Sequence, residues 1–193
     1  MSETPVRERI LAAVLHIIGT DGIAAVTNRR IAAQAEVSLG SITYHFPSQT
    51  DLLRDALLGF VTDETARLTD LAEQYRDKGL SLQDAAALTE QVVRDLAFDA
   101  ERMAPFELYI QAGRDPALRA AADQCFAAYD TLTVTILEAL GVPNAATVAP
   151  PMVATIAGLQ LRRLATGTDG QDVSAAIMML IGGAMLAQQP PPT

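Results

Sequence analysis

A single cysteine in 193 residues has no partner within the chain, so no disulfide framework is available. Two histidines beside it cannot make a Cys/His metal set, and neither a metal nor a cofactor is expected. That composition suits a reducing, cytoplasmic setting. Strand-like alternation of apolar and polar residues is nearly absent, and β-branched clusters are interrupted by Ala, Gln, Glu and Arg. The first thirty residues contain no basic flank followed by a long apolar run. The longest greasy stretch, IMMLIGGAMLA, is too short to cross a bilayer, so no membrane partner is expected. No Ser/His/Asp order, paired carboxylate motif, Gly-rich phosphate loop or metal-ligand spacing appears. His16 falls inside an amphipathic pattern, and the chain is not expected to be an enzyme.

What the chain does have is apolar mass. Half its residues are hydrophobic, enough to bury a sizeable core in one domain or in two small ones sharing an interface. Its net charge of −9 is unevenly spread. Up to Pro47 four basic residues (Arg7, Arg9, Arg29, Arg30) balance four acidic ones (Glu3, Glu8, Asp21, Glu36), whereas from Ser48 onward there are ten basic and nineteen acidic residues. The whole excess therefore lies in the larger C-terminal part, which points to two regions with different partners.

Periodicity gives an all-α chain of about nine helices without internal repeats. Thr4 and Pro5 read as an N-cap and first helical residue, and Ile10, Ala13, Val14, Ile17 and Ile18 then mark one buried stripe up to Gly19. Thr27 caps a short helix over Asn28 to Ala35, and Ser38 caps another that Pro47 cuts off. SQTD from Ser48 is a capping box, and the amphipathic run behind it continues to Gly79, a helix about 45 Å long. Further helices are expected from Ser81 through Phe98, from Pro105 over PFELYIQAG, from Leu118 to Gly141, from Pro150 to Ala165 and from Asp172 to Ala187, with a frayed tail at 189–193. The domain division expected is 1–47 and 48–188.

Between Thr27 and Pro47 the spacing fits a helix-turn-helix. Ile31, Ala32, Val37 and Ile42 face inward, and small polar groups point outward. The segment SLGSITYHFPSQ sets compact hydrogen-bonding residues side by side where a packing helix would alternate apolar and charged ones. Ser41 and Thr43 suit base edges in a major groove, Ser38 stands with them at the helix cap, and Gly40 removes a Cβ so that the helix approaches closely. Tyr44 and His45 suit phosphate oxygens, as do the helix N-terminus at Thr27 and the guanidinium groups of Arg29 and Arg30. These nine residues form the candidate DNA-binding set.

The core TNRRIAAQAEVSLGSITYHFPSQTDLL resembles the DNA-binding domain of the tetracycline-repressor (TetR) family of bacterial transcriptional regulators. The following long helix and the two greasy helices at the end are similar to that family in pattern. The resemblance implies an N-terminal three-helix helix-turn-helix domain, a C-terminal helical domain for ligand binding and dimerisation, and DNA contacts at Thr27, Arg29, Ser41, Thr43, Tyr44 and His45. It implies a double-stranded DNA operator, a second copy of the chain and a small-molecule effector as partners, with the protein acting as a repressor released by that effector. Three positions depart from the family pattern: Glu36 stands where glycine is usual, Thr43 where tyrosine is frequent and Gln49 where lysine is frequent. Glu36 thus sets the expectation of a non-glycine residue in a left-handed turn. The competing reading is a helical ligand-binding or protein-interaction module without DNA binding.

Large residues in the C-terminal part form the candidate effector pocket: Phe60, Phe98, Met103, Phe106, Tyr109, Phe126, Tyr129, Met152, Ile156 and Gln160, with Gln111 and Gln124 as further polar anchors. Glu107 and Arg114 are expected to be solvated or paired, and Cys125 to be packed. The last two helices are apolar on every side, so each needs cover on more than one face. A second copy is the expected cover, through Gly158, Leu161, Arg162, Ile177, Leu180, Ile181 and Ala184, with Gly182 and Gly183 also permitting close approach; the alternative is a central core helix covered by its own chain.

Overall fold

A computed structural model of the chain describes residues 5–76, 81, 83–84, 100–167 and 173–186. Among the described residues there are eight α-helices, one 3-10 turn and no strand. The helices are α1 (Val6–Asp21), α2 (Asn28–Ala35), α3 (Leu39–His45), α4 (Gln49–Arg76), α5 (Ala100–Ala112), α6 (Pro116–Ala139), α7 (Ala145–Thr166) and α8 (Val173–Leu186). The helix expected from Ser81 to Phe98 lies outside the described residues except at its start. There Ser81 and Asp84 exchange a capping box: the Ser81 hydroxyl accepts from the Asp84 N–H at 3.2 Å, and the Asp84 carboxylate accepts from the Ser81 N–H at 3.0 Å. The tail at 189–193 also lies outside them.

The chain forms two compact units, Met1–Asp63 with Phe98–Cys125, and Glu64–Ala97 with Phe126–Thr193. This division differs from the break expected at Pro47. The first unit takes in the start of α4, where Leu52, Leu53, Ala56 and Leu57 are buried, and it takes in α5, which packs along α1. Its core carries the expected stripe of Ile10, Ala13, Val14, Ile17 and Ile18, together with Ile31, Ile42, Phe46, Leu108 and Leu118. The second unit is built around Leu137, Val142, Val148, Ala149, Met152, Val173, Ile177 and Ile181, with α7 packed against α8.

Several helix limits differ from the sequence expectation, each for a local reason. Pro5 is the N-cap and not the first helical residue, its carbonyl accepting from the Arg9 N–H at 3.1 Å. Such one-residue differences are ordinary at helix ends. Gly19 does not end α1 but is buried within it; the helix runs on to Gly22, whose φ of 81° and N–H bond to the Ile18 carbonyl at 2.9 Å stop it. Pro105 does not begin α5, which starts at Ala100. Pro150 likewise does not begin α7, which starts at Ala145 and contains Pro150 and Pro151. A proline near a helix start removes one N–H from the ladder while its fixed φ remains helical, so the turn before it survives. The end of α6 is a Schellman arrangement, with the Val142 N–H bonding to the Leu137 carbonyl at 2.9 Å and Gly141 at φ 72°.

Candidate nucleic-acid interface

The α2–turn–α3 hairpin is set by its caps. The Thr27 hydroxyl accepts from the Arg30 N–H at 3.3 Å to start α2, and the Ser38 hydroxyl accepts from the Ser41 N–H at 3.0 Å to start α3. Between them Glu36 lies in the left-handed region at φ 53°, ψ 48°, as its place in the turn led one to expect. The Val37 N–H beyond it bonds back to the Ala32 carbonyl at 3.0 Å. A side chain there costs on the order of 1–2 kcal/mol relative to glycine, and nothing in the turn returns it. Ile31 and Ile42 are buried as expected, Ala32 and Val37 half-buried. Phe46 at the end of α3 is also buried, under the Arg7 guanidinium at 5.4 Å from its ring centre. Arg7 in turn pairs with Asp55 at 2.8 Å, so α1, α3 and α4 are tied at one point.

The remaining face of α3 is open. Leu39 is 52% exposed and Tyr44 84% exposed, with Gly40 and Thr43 exposed between them. A Cβ added at Gly40 would meet only the Ser38 hydroxyl, at 3.7 Å. The glycine is therefore not demanded by the chain's own packing, although it costs about 1 kcal/mol of helix propensity against alanine. Ser41 is half-buried with its hydroxyl 2.9 Å from that of Ser38, and the Thr43 hydroxyl donates to the Gly40 carbonyl at 3.1 Å. His45 is half-buried, its ring 5.1 Å from that of Tyr44 in an edge-on arrangement.

Of the two arginines expected near phosphate, Arg30 is engaged by Asp21 in an exposed ion pair. Arg29 is exposed without a partner among the described residues, and is the cation α2 leaves unneutralised. Gln49 donates through Nε2 to the Val26 carbonyl at 3.3 Å, which fastens the start of α4 to the segment leading into α2. At that start Ser48 and Asp51 form the expected box. The Ser48 hydroxyl accepts from the Asp51 N–H at 3.1 Å, and its bond to the Asp51 carboxylate is the main reason that carboxyl is held below its ordinary range.

Two further ties in the same unit were not legible in the sequence as ties. The Glu107 carboxylate on α5 accepts from the Ile23 N–H at 2.7 Å, in the 3-10 turn before α2. Asp115 caps α6 by accepting from the Ala117 N–H at 2.9 Å, and also accepts from the Thr50 hydroxyl of α4 at 3.2 Å. Leu39 was absent from the expected DNA-binding set; its only sequence signal was an apolar residue in the first turn of an otherwise polar helix face.

The candidate effector residues divide between the units. Phe60, Met103, Phe106 and Tyr109 belong to the first, and Phe126, Tyr129, Met152, Ile156 and Gln160 to the second, while Phe98 lies outside the described residues. In the second unit Met152 is a core residue with Ile156 packed against the same cluster, and the Tyr129 hydroxyl donates to the Glu64 carboxylate. The residues proposed for a dimer face also separate. Gly158, Leu161 and Arg162 are exposed on α7, but Ile177 and Ile181 on α8 are 5% and 2% exposed, inside their own unit's core, with Leu180 and Ala184 half-buried against it. The outward residues of α8 are instead Ala175, Met179, Gly183 and Met185. Cys125 is buried as expected, and burial pushes its thiol up to about 11. Among the described residues no group of three His, Cys, Asp or Glu side chains is placed to hold a metal, and no helix is long and apolar enough to cross a membrane.

Comparison with known proteins agrees with this geometry. Residues 10–56 match the family described as bacterial regulatory proteins, tetR family, and residues 80–183 match the tetracyclin repressor-like C-terminal domain. No curated protein matches the chain. Among solved structures it is similar to the multidrug binding protein EbrR complexed with imidazole, at 29% identity over 99% of this chain and 98% of that one, with a TM-score of 0.71. EbrR complexed with ethidium gives 28% identity over 91% and 98%, with a TM-score of 0.73, and EbrR is also seen with proflavin and malachite green. A TetR-family member from Streptomyces coelicolor A3, SCO1917, is 30% identical over 91% of this chain and 97% of its own, with a TM-score of 0.70. With a helix-turn-helix at its N-terminus and the matching C-terminal domain behind it, the chain belongs to the TetR family of bacterial transcriptional regulators.

Proposed function

We propose that this regulator is a repressor that grips its operator as a homodimer and lets go when a small molecule binds its C-terminal part. The observation that carries the reading is the open face of α3. Its buried side is anchored by Ile42 and Phe46, while Leu39, Gly40, Thr43 and Tyr44 are exposed. Thr27, Arg29, Arg30 and Ser38 stand at or just inside the N-terminal ends of the paired helices, and Ser41 and His45 border the open face. Phosphate contacts from Arg29, Tyr44 and His45 would fix register, and the α3 side chains would meet base edges.

Dimerisation draws support from two exposed stripes. Pro151, Ala154, Gly158, Leu161 and Ala165 follow one another along α7 at helical spacing, and Ala175, Met179 and Gly183 do the same along α8. Met179 is 75% exposed, an apolar group that water does not favour and a second copy would cover. A dimer holds two α3 helices at one separation, and an effector that prefers a different tilt of α4 changes that separation and releases the DNA. For the effector we infer an organic cation with aromatic rings. The acidic excess from Ser48 onward favours positive charge, and ethidium, proflavin and malachite green, bound by the similar EbrR, are all of that type.

The test is a mobility shift of the full-length protein with the intergenic DNA beside its own gene, at two salt concentrations, with and without malachite green, an unrelated DNA-binding protein on its own site serving as the control for any effect of the dye on the duplex. Binding that falls steeply with salt and is reversed by the dye supports the reading. Indifference of the protein to that DNA at low salt would remove the operator from the proposal.

A further inference from the structure

The α3 sequence LGSITYH contains no Asn, Gln, Arg, Lys, Asp or Glu. Those are the side chains that discriminate bases through paired or charge-assisted hydrogen bonds, guanidinium on guanine and amide on adenine above all. Apart from the Tyr44 hydroxyl and the His45 imidazole, which the proposed function gives to phosphate, the hydroxyl groups that remain already bond within the hairpin. Ser38 and Ser41 lie 2.9 Å apart with Ser38 also accepting from the Ser41 N–H, and Thr43 donates to the Gly40 carbonyl at 3.1 Å. What the helix leaves open to a partner is thus mainly carbon: the Leu39 side chain at 52% exposure, the bare Cα of Gly40, the methyl of exposed Thr43 and the Tyr44 ring. Leu39 and Thr43 are four residues apart and share one face of the helix, with Gly40 between them removing the bulk that would hold a flat surface away.

In a major groove the apolar group available to such a face is the C5 methyl of thymine, the one carbon substituent by which a base pair differs there. We infer that Leu39, with the Thr43 methyl, is a specificity-determining residue that selects operator positions bearing a thymine methyl. Specificity at those positions comes from removing the methyl from water, not from a donor and acceptor pair. This rests on the DNA-binding reading and adds to it the kind of base feature read. It also accounts for an exposed leucine in the first turn of a helix whose neighbours are polar.

The experiment uses full-length protein and an operator duplex located by footprinting on the adjacent intergenic DNA. Thymines in the footprint are replaced one at a time by deoxyuridine, which removes the C5 methyl and leaves every hydrogen-bonding group in place. Affinity is measured by fluorescence anisotropy at fixed salt. At one or two positions per half-site the replacement should weaken binding about fourfold, the effect of burying one methyl. Leu39→Ala should bind the thymine and uracil duplexes equally, so that the double-mutant cycle assigns the methyl dependence to this side chain. Leu39→Gln should move the preferred base at that position towards adenine. Because Leu39 is outside the core, both variants should keep the wild-type thermal midpoint, which is measured alongside.

Uniform affinity for all uracil-substituted duplexes, with operator binding intact, would overturn the inference and leave the regulator reading standing. An unchanged methyl dependence in Leu39→Ala would also overturn it, as would a leucine effect seen only on association with another protein. Absence of DNA binding altogether would remove both.

Discussion

The Glu107 carboxylate holds the Ile23 backbone N–H at 2.7 Å across 84 residues of chain. Its two oxygens also lie 3.6 Å from where a Cβ on Gly22 would stand, so the carboxylate sits directly against the turn that ends α1. The helix dipole gives no reason for this position; the free N–H of the 3-10 turn does, since it has no partner within its own segment. α5, from the middle of the sequence, is thereby fixed to the segment that leads into the helix-turn-helix.

Removing that acceptor leaves a half-buried amide without its partner. Glu107→Ala should lower the unfolding free energy by about 1–3 kcal/mol, and Glu107→Gln by less because an amide oxygen still accepts. Urea unfolding followed by circular dichroism measures both. Equal midpoints for wild type and the alanine variant would mean that the contact contributes nothing net.

Glu36 holds a left-handed conformation with an exposed side chain that makes no hydrogen bond or ion pair among the described residues, on the turn beside α3. Glu36→Gly should therefore raise stability by roughly 1 kcal/mol, the strain relieved minus the added freedom of the unfolded chain. It should also strengthen DNA binding more at low salt than at high salt, because it deletes a negative charge near phosphate. A weaker complex in the glycine variant would place Glu36 in a direct contact instead.

The Asp51 carboxyl is held below 3.8 chiefly by the Ser48 hydroxyl, with Arg54 adding in the same direction and desolvation opposing them. A depressed carboxyl contributes stability that is present above the unfolded value and disappears as the pH falls through the folded one. The Ser48–Asp51 cap should thus persist at neutral pH and fail in the acid range below 3.8. In Ser48→Ala the Asp51 midpoint, followed by carboxyl NMR signals, should move up towards that ordinary value. A midpoint unmoved by the substitution would assign the shift to Arg54.

Cys125 is the case of opposite sign. Burial raises its thiol from 9.0 to about 11, so the folded state favours the protonated form and loses stability as the pH climbs through that interval. At a fixed pH below 9.0 the folded protein should hold about a hundredfold less thiolate than the unfolded chain. Reaction with an aromatic disulfide reagent should slow by at least that factor on folding. Labelling of native protein at the unfolded rate would show the thiol open to solvent.

Much of the fold was written in local signals. Thr27, Ser38 and Ser48 each mark a helix start because a hydroxyl one residue before a helix has N–H groups to accept from, and the structure uses all three. Prolines misled, since Pro105, Pro150 and Pro151 are tolerated within helices that begin about a turn earlier. The Glu107 and Asp115 ties were invisible because a pairing over 84 or 65 residues leaves no spacing pattern. The open face of α3 was legible as to place, but the bonds that Ser41 and Thr43 make within the helix turn were not, since a hydroxyl-bearing side chain carries no sequence mark of its own local partner. In α8 an apolar residue occupies almost every position, so periodicity could not say which side meets the chain's own core.

That last ambiguity yields the sharpest contrast for assembly. Ile181 is 2% exposed within the second unit's core, while Met179, two residues away and so on the opposing side, is 75% exposed. If the outward stripe of α8 meets a second copy, Met179→Asp should convert dimers to folded monomers, read by analytical ultracentrifugation with an unchanged helical spectrum. A charge placed in a buried twofold contact lies close to its own symmetry copy, which makes the substitution doubly unfavourable. Ile181→Ala should do the reverse, lowering stability by about 2–5 kcal/mol through the cavity it leaves while the association constant of the folded protein stays the same. Dimers that survive Met179→Asp at micromolar concentration would place the interface on another face, with the exposed α7 stripe around Leu161 the next surface to alter.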